Sequence, residues 1–286
     1  RKFNPLDVLN GGRYNFGKGR SAGFHTNWTK ISFNTVEGFK VGLSGYYQSE
    51  KTSKMPDSLT REERTWNVRP AFRYGFASKQ AYGTLAVKKS VKHGRSRHVF
   101  GAEGGKFIMQ YNRDNPINEQ VNAFYSLFLK QNHMKLYEHS FGKIFWEQQF
   151  GDGFNYQVDL EYTDRQQLSN HTDFSFYKRQ GREYSPNQPE NYEAPERAFD
   201  DHKALILEAT FEWRPGLKYS LRNGRKSPLL DTSPLIKWSY RKGIHSGYLG
   251  QHAADFDHVE VGISHAIPFG VSGKFDFNIS AGSFLN

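Results

Sequence analysis

The residues best suited to chemistry cluster in one stretch, "GIHSGYLGQHAADFDH", which carries His245, His252, Asp255, Asp257 and His258. Imidazole nitrogens and carboxylate oxygens ligate zinc and other transition metals, and an Asp–His pair can activate water for hydrolysis. The spacing of these residues matches no established metal motif, so we expect a solvated loop with no bound metal and no other cofactor. A hydrolytic pair of Asp257 and His258 is the alternative that would make the protein an enzyme.

Three other stretches raise weaker chemical possibilities. A site that cleaves lipids needs Ser and His side chains at the boundary between lipid and water. His265 lies near the end of an apolar run, and we expect its ring to reach from that run toward the water. The glycine-rich "GGRYNFGKGR" lacks the Lys-Ser/Thr ending of a phosphate-binding loop, so it predicts a turn or the start of the sheet. Residues 165–202 interleave Tyr, Phe and Arg, a composition that binds glycans, proteins or single-stranded nucleic acid. We expect a structural loop or a protein or glycan contact there, and no nucleic acid.

Most of the chain alternates between apolar and polar residues with a period of two. In "FNYQVDLEYT", residues 154–163, the aromatic and aliphatic residues occupy one face of the predicted strand and the polar residues the other. The apolar faces of such runs are nearly free of charge, whereas both signs of charge are interspersed on the polar faces. We predict that the apolar set faces lipid, through Phe72, Tyr74, Tyr156, Leu160, Leu207, Phe211, Trp213 and Trp238. We predict that the polar set faces a wet lumen, through Arg69, Arg73, Asp159, Glu161, Glu208, Glu212 and Arg241.

The length of these runs favours a membrane sheet over a soluble one. Strands of soluble proteins usually last five or six residues, whereas a bilayer-crossing strand needs about nine to eleven, and several runs here reach that length. An apolar outside around a charged interior is typical of transmembrane β-barrels. The predicted fold class is therefore all-β, a transmembrane antiparallel up-and-down β-barrel that occupies residues 1–286 and is incomplete. A soluble β-sandwich that binds carbohydrate is the rival; it predicts that Asp159 faces water and Leu160 faces a core.

About twelve antiparallel strands account for the pattern, with residues 165–202 as a long external loop. Residues 119–130 alternate like a strand but also carry the spacing of an amphipathic helix. A strand is predicted there because it keeps the short loops "TVEG", "ASKQ", "GDG" and "PFGVSG" on one side and the long loops on the other. The same argument predicts that "RPG" at 214–216 is a bulge near a strand end, although it resembles a hairpin turn. The strands are predicted at 27–35, 38–49, 65–77, 81–91, 97–109, 119–130, 134–150, 154–164, 203–220, 234–244, 258–268 and 273–285.

Composition narrows the compartment and the partners. The 286 residues include 16% aromatics, and the mean hydropathy is −0.77. The sequence contains no cysteine, which excludes a disulfide framework and a thiolate metal site. The formal charge of +10 predicts an anionic partner. Lipopolysaccharide phosphates are the membrane candidate, held by cations around a predicted external loop, although a solvated loop explains the same residues: Lys51, Lys54, Arg61 and Arg64.

Several phrases resemble an uncharacterised family of Bacteroidota outer-membrane proteins: "FNTVEGFKVGLSGYY", "NHMKLYEHSFGKIFWEQQFGDGFNYQVDLEYTDRQQLSNHT", "SPLIKWSYRKGI" and "FGVSGKFDFNISAGSFLN". The resemblance spans nearly the whole chain. It implies a carboxy-terminal barrel that follows a carboxypeptidase-regulatory-like β-sandwich and continues beyond the strands counted here. The barrel is also distantly similar to the outer-membrane insertase and translocase superfamily, which would imply a role in envelope assembly.

The function expected from the sequence is that of a non-enzymatic barrel in the bacterial outer membrane, with a structural, assembly or partner-scaffolding role. Its expected partners are membrane lipid, lipopolysaccharide and other outer-membrane proteins in a complex. The alternatives are a pore or transport barrel and an outer-membrane hydrolase whose His and Asp residues meet at one rim.

Overall fold

Long alternating runs form long strands in the computed structural model, which describes residues 4–26, 32–54, 61–112, 116–177, 181–189, 200–222, 225–229, 233–245 and 255–285. Strands make up 66% of the molecule and helices 7%, so the all-β prediction is confirmed. The first strands are β1 (Gly12–Gly17), β2 (Arg20–Thr26), β3 (Phe33–Asn34), β4 (Gly38–Lys54), β5 (Arg61–Gly75), β6 (Gln80–His93), β7 (Ser96–Gln110) and β8 (Leu136–Gln149). The remaining strands are β9 (Phe154–Gln167), β10 (His202–Trp213), β11 (Lys218–Arg222), β12 (Arg225–Leu229), β13 (Leu235–Ile244), β14 (Phe256–Pro268) and β15 (Lys274–Phe284). The helices are α1 (Asp7–Asn10), α2 (Glu119–Leu129) and a 3₁₀ turn, Gly270–Ser272.

A single antiparallel sheet of 13 strands organises the chain. Its order is β1-β2-β4-β5-β6-β7-β8-β9-β10-β13-β14-β15, with β3 attached to β4, so successive strands run up and down beside one another. Within the described residues the sheet does not close, because β1 and β15 lie at opposite edges of it. The arrangement is that of an incomplete barrel, as the alternation predicts.

Residues 119–130 are mainly helical, so the strand predicted there is wrong. Asn118 caps α2, since its side-chain oxygen accepts hydrogen bonds from Gln120 N at 2.9 Å and Val121 N at 3.2 Å. The helix ends at Lys130, which adopts a left-handed conformation with φ of 51°. Its amphipathic spacing buries one side of the helix against β3, which outweighs the weaker alternation in the same residues. Neither described helix has the length and apolar character needed to cross a membrane.

The long strand predicted at 203–220 also breaks. β10 ends at Trp213, and the chain turns through Pro215 and Gly216 before it enters the separate two-stranded sheet β11–β12. Pro cannot donate to a strand ladder, and Gly216 takes a φ of +68° that favours glycine. The "RPG" stretch is therefore a turn rather than a bulge within one strand.

The amino-terminal strands differ from the prediction as well. "GGRYNFGKGR" starts the sheet, as one of its two interpretations predicts, because β1 and β2 form a hairpin around Lys18 and Gly19, both with positive φ. Of the strand predicted at 27–35, the described part is the two-residue β3, and residues 27–31 lie outside the described residues.

The helix changes which loops share an end of the sheet. Because α2 adds no crossing, β7 and β8 both meet their connection at the end where "TVEG" and "ASKQ" lie. That end, called the cap end below, also receives the connection between β9 and β10. "GDG" and "PFGVSG" lie at the other end, the turn end, where β4 ends and β5 begins. The prediction that all four short loops share one side is therefore wrong.

Candidate functional site

The register of the sheet separates the two predicted sets of side chains onto opposite faces. Directly paired residues of neighbouring antiparallel strands lie on the same face. Leu160 pairs with Ile144 and Leu207, whereas Asp159 pairs with Phe145 and Glu208. Followed from β5 to β13, this register places every residue predicted to face lipid on one face, the apolar face, and every residue predicted to face a lumen on the other, the charged face. Which of the two meets lipid stays a prediction.

The apolar face is exposed. Phe72 is 50% exposed and Trp238 is 54% exposed, although both are large side chains that soluble proteins normally bury. Tyr74, Tyr156 and Leu160 are half-buried by their neighbours on the same face. Other exposed members of the face extend it across the sheet: Leu43, Trp66, Leu85, Phe100, Ile144, Trp146, Tyr162, Trp213, Val261, Ile263, Phe275 and Ile279. Apolar patches on soluble monomers rarely reach such an extent.

Aromatic rings concentrate on the apolar face toward the turn end. Trp146 stacks on Phe100 with ring centroids 5.9 Å apart, and it meets Tyr156 edge-on at 5.1 Å. The contacts continue from Tyr156 to Phe211 at 6.4 Å and from Phe211 to Trp238 at 5.7 Å. These rings form a belt that runs from β7 to β13. Aromatic belts of this kind lie at the level of lipid headgroups in membrane proteins.

The charged face buries ions near the cap end. Glu37 is 0% exposed and Lys40 is 2% exposed at the side chain, and their charged groups are 3.6 Å apart. Arg73 Nε lies 2.9 Å from Glu37 Oε1, and the guanidinium covers the ring of Phe107 at 4.3 Å. Glu119, at the start of α2, receives a hydrogen bond of 2.8 Å from Lys40 Nζ. These four residues, the ion cluster, join β4, β5 and the turn after β3 to α2.

Opposing effects act on the pKa of Glu119. Desolvation alone would raise it, but the charges of Lys40 and Arg73, together with hydrogen bonds from Lys40 and Ser32, hold the pKa below its ordinary value of 4.5. The carboxylate is therefore charged at neutral pH. Its side chain is 46% exposed, so solvent screens part of its interaction with the two cations.

Several of the other residues predicted to face a lumen lie beside basic side chains or their carboxylate partners. Asp159 is buried and lies 3.5 Å from Lys143, and Glu161 lies 3.5 Å from His139. Glu208 lies 3.8 Å from Arg241. Glu212 is half-buried opposite Lys237, while Arg69 is exposed. Burial of Asp159 departs from both the wet lumen and the β-sandwich alternative, since each of them places this residue in water.

Asparagine side chains tie the cap end together. The cap consists of residues 32–37, 116–135 and 168–188, apart from 178–180, which lie outside the described residues. Asn132 donates to Thr35 Oγ1 at 2.8 Å, and Thr35 donates to Asn170 Oδ1 at 2.6 Å. Asn122 accepts from the backbone of Met134 at 3.1 Å, and Asn187 bonds both backbone groups of Leu136. An apolar cluster lies beside these bonds: Val36, Tyr82, Ile108, Met134 and Leu136.

Asp257 and His258, the candidate hydrolytic pair, do not form a common site. Asp257 and His258 are consecutive residues of β14 and lie on opposite faces. Asp257 accepts hydrogen bonds from Lys242 at 2.9 Å and 3.0 Å, whereas the ring of His258 contacts Phe284 at 4.9 Å. His252 lies outside the described residues. Across the described ranges, no three His, Asp or Glu side chains form a group that could hold a metal ion.

The structure also locates His265 and two of the cations predicted to bind lipopolysaccharide, Lys51 and Arg64. His265 lies on the apolar face three residues before β14 ends at Pro268, beside Phe277. Lys51 and Arg64 lie at the turn end, opposite the connection that holds most of residues 165–202. The prediction that the two long loops lie on one side of the sheet is therefore wrong, and binding of lipopolysaccharide stays a prediction. The side chains of Lys54 and Arg61 lie outside the described part of the chain.

The ion cluster and the cap asparagines were only partly predicted. Arg73 was assigned to the charged face, but Glu37, Lys40 and Glu119 were not singled out as its partners. Asn118 followed by Glu119 was an available signal, because Asn is a favoured helix N-cap. No local sequence pattern indicates the partners of Asn122, Asn132 and Asn187. Each of these asparagines bonds a residue that is distant from it along the chain.

Comparison with known families matches residues 6–286 to the model of the C-terminal domain of a family of unknown function, DUF5686. Neither the curated proteins nor the solved structures contain a significant match to the chain. The family model covers the sheet, the ion cluster and the cap together. The chain therefore belongs to DUF5686, as its C-terminal domain.

Proposed function

We propose that this domain is the membrane-spanning wall of a β-barrel in the bacterial outer membrane, with a structural or assembly role and no catalytic one. The observation that carries the proposal is the inverted polarity of the sheet. Large apolar side chains cover the exposed face, and the other face buries Glu37, Lys40 and Asp159. Water would favour the reverse arrangement, since burial of charge is costly and exposure of apolar area is unfavourable. A lipid environment around the apolar face removes that conflict.

The dimensions of the apolar face support the same conclusion. On β9 the apolar positions run from Phe154 to Tyr162, and on β10 they run from Leu205 to Trp213. Charged residues resume on the same face just past this band, with Asp164 paired to Lys203. Nine residues in a tilted strand suit the hydrocarbon core of a bilayer. Edge strands β1 and β15 need partners in this setting, because lipid leaves unpaired backbone groups unsatisfied; closure of the barrel is part of the proposal.

The connections suggest an orientation. Tight turns predominate at the turn end, whereas the cap end holds α2 and the long connection between β9 and β10. Outer-membrane barrels have short periplasmic turns and longer extracellular loops. The cap end is therefore assigned to the cell exterior and the turn end to the periplasm, which keeps residues 165–202 external.

The cap favours a structural role over an open pore. The ion cluster joins it to β4 and β5, and Asn187 joins it to β8. Displacement of the cap from the sheet would break these bonds. The separation of Asp257 from His258 on β14 argues against the hydrolase alternative. Resemblance of the sequence to Bacteroidota outer-membrane barrels supports the proposed compartment, with lipid, lipopolysaccharide and other envelope proteins as partners.

Single cysteines along β9 test the proposal, because the chain contains no cysteine of its own. Variants at 156, 158 and 160 are expected to react with a lipid-soluble maleimide in native membranes and to resist a charged one. Variants at 157 and 161, which are half-buried on the charged face of the same strand, serve as matched controls and are expected to show the opposite preference. If neither reagent reaches the first set, a protein core covers the apolar face and the proposal is wrong.

A further inference from the structure

The outward side of α2 is apolar, whereas a helix on a soluble protein normally turns its polar side outward. The buried side carries two polar residues, Asn122 and Ser126, beside Ala123 and Leu127. Phe124 is 55% exposed, whereas Ser126 is 0% exposed and Asn122 is buried. The exposed members fall on one arc of the helix: Val121, Phe124, Tyr125, Phe128 and Leu129. The buried members contact the cap, through Asn122 to Asn132 at 2.9 Å and Ser126 to Gln131 O at 3.2 Å.

The helix lies across the rim of the sheet at the cap end. Its first residue, Glu119, reaches the charged face at Lys40. One turn later, Ala123 and Leu127 pack on Phe33. Phe33 pairs with Phe39, which lies on the apolar face together with Val41 and Leu43. The outward side of α2 is thus on the same side of the sheet as the apolar face.

Ring contacts make the surface continuous between the sheet and the helix. Phe39 contacts Phe174 at 5.9 Å, and Phe174 contacts Phe176 at 5.3 Å. Phe176 contacts Phe128 at 5.5 Å, and Phe128 contacts Phe124 at 5.2 Å. All of these side chains except Phe33 are more than one third exposed. The segment that follows β9 is fixed to the helix as well, since Ser175 Oγ and Phe176 N both donate to Leu127 O.

We propose that α2, with Phe174 and Phe176, is an interfacial anchor that lies in the headgroup region of the bilayer at the cap end. The inference rests on the proposed function. It adds the position of the membrane boundary at the cap end, opposite the aromatic belt that lies toward the turn end. An amphipathic helix whose apolar arc carries Phe and Tyr partitions into the boundary between headgroups and acyl chains. The ends of α2 match this position, because Glu119 is half-exposed and Lys130 lies over the ring of Tyr184. Lipid is favoured over a protein partner because the ring contacts from Phe39 through Phe174 and Phe176 to Phe128 continue the exposed apolar face onto the helix.

Depth-dependent fluorescence quenching tests the anchor. An NBD label is attached to Phe128→Cys, or to Val121→Cys in case the larger change loosens the helix, and the protein is reconstituted in phosphatidylcholine vesicles. Lipids with a doxyl group near the headgroup are expected to quench both labels strongly, while iodide in water quenches them weakly. Glu183→Cys, exposed on the same cap, is the matched control and is expected to respond to iodide.

A label at Leu160→Cys separates failure of the anchor from failure of the barrel. If deep doxyl lipids quench position 160 and iodide quenches 121 and 128, the anchor is wrong and the membrane barrel stands. If 121 and 128 resist both quenchers, protein covers the arc, and the lipid anchor is equally wrong. If no doxyl lipid quenches position 160, the proposed function fails and the anchor fails with it.

Discussion

At the scale of single residues, the ion cluster shows how charge is retained inside the protein. Glu37 is fully buried, yet it lies beside Arg73 and Lys40 and accepts a hydrogen bond of 2.8 Å from Asn34. A buried ion pair contributes little net stability relative to apolar residues, but loss of one partner leaves an uncompensated charge. The cluster therefore makes the fold sensitive to any change at Arg73.

Replacement of Arg73 by Met is expected to lower the free energy of unfolding by about 3 kcal/mol, because Glu37 then keeps only Lys40 and Asn34. Arg69→Met is the matched control, since Arg69 is an exposed residue of the same type on the same face of β5. The control is expected to change stability by less than about 0.5 kcal/mol. Urea titration in detergent micelles measures both values; equal losses would contradict the role given to Arg73.

At the scale of elements, α2 depends on contacts that differ in chemistry along its length. Glu119 binds the cations of the ion cluster, Asn122 bonds the chain before β8, and Leu127 packs on Phe33. The first of these contacts is titratable. Because the pKa of Glu119 is lowered in the folded protein, its contribution is fully present above the ordinary value of 4.5 and is lost as pH falls through the lowered pKa.

The attachment of α2 is therefore expected to weaken in acid. Hydrogen exchange should show stronger amide protection in α2 of the wild type than of Glu119→Gln at neutral pH. This advantage should disappear as the pH falls below 4.5, since protonation removes the negative charge that faces Lys40 and Arg73. The strand amides of β9 provide the internal control. A constant difference between the two proteins across that pH range would exclude titration of Glu119 as the cause.

At the scale of the whole molecule, the two faces of one sheet define opposite environments. Ion pairs join neighbouring strands on the charged face at Lys143–Asp159 and Arg241–Glu208. Ring contacts join them on the apolar face from Phe100 to Trp238. The two faces thus differ in polarity in the way that the proposed lipid surroundings require.

Arginine scanning of β9 measures this asymmetry. Leu160→Arg, between Ile144 and Leu207, is expected to lower folding stability in lipid vesicles by about 2–4 kcal/mol, because it brings a charge to the lipid face. Gln157→Arg, on the charged face, lies beside Asp159 and is expected to cost less than about 1 kcal/mol. The unfolding free energies of the two variants in vesicles give the comparison. Similar costs on both faces would contradict the assignment of the apolar face to lipid.

Local pattern was sufficient to predict most strands and both faces. The period of two belongs to neighbouring residues, so Leu160 and Asp159 are assigned to opposite faces without knowledge of any other strand. The segments that became β4–β10, β13, β14 and β15 overlap the predicted strands for this reason. The fold class followed, because charge kept to one face of long strands is typical of membrane barrels.

The sequence by itself therefore determined an all-β chain with an apolar and a charged face, because alternation is a local property. Tertiary structure alone decided that residues 119–129 are a helix, that "RPG" leaves the sheet, and which loops share an end. Both helical and extended patterns fit residues 119–130, and contacts of Asn122 and Leu127 with other segments select the helix. The cap depends on pairs such as Thr35 and Asn170, whose positions in the chain are 135 residues apart. No local pattern encodes such pairs, since they form only once the sheet has brought the segments together.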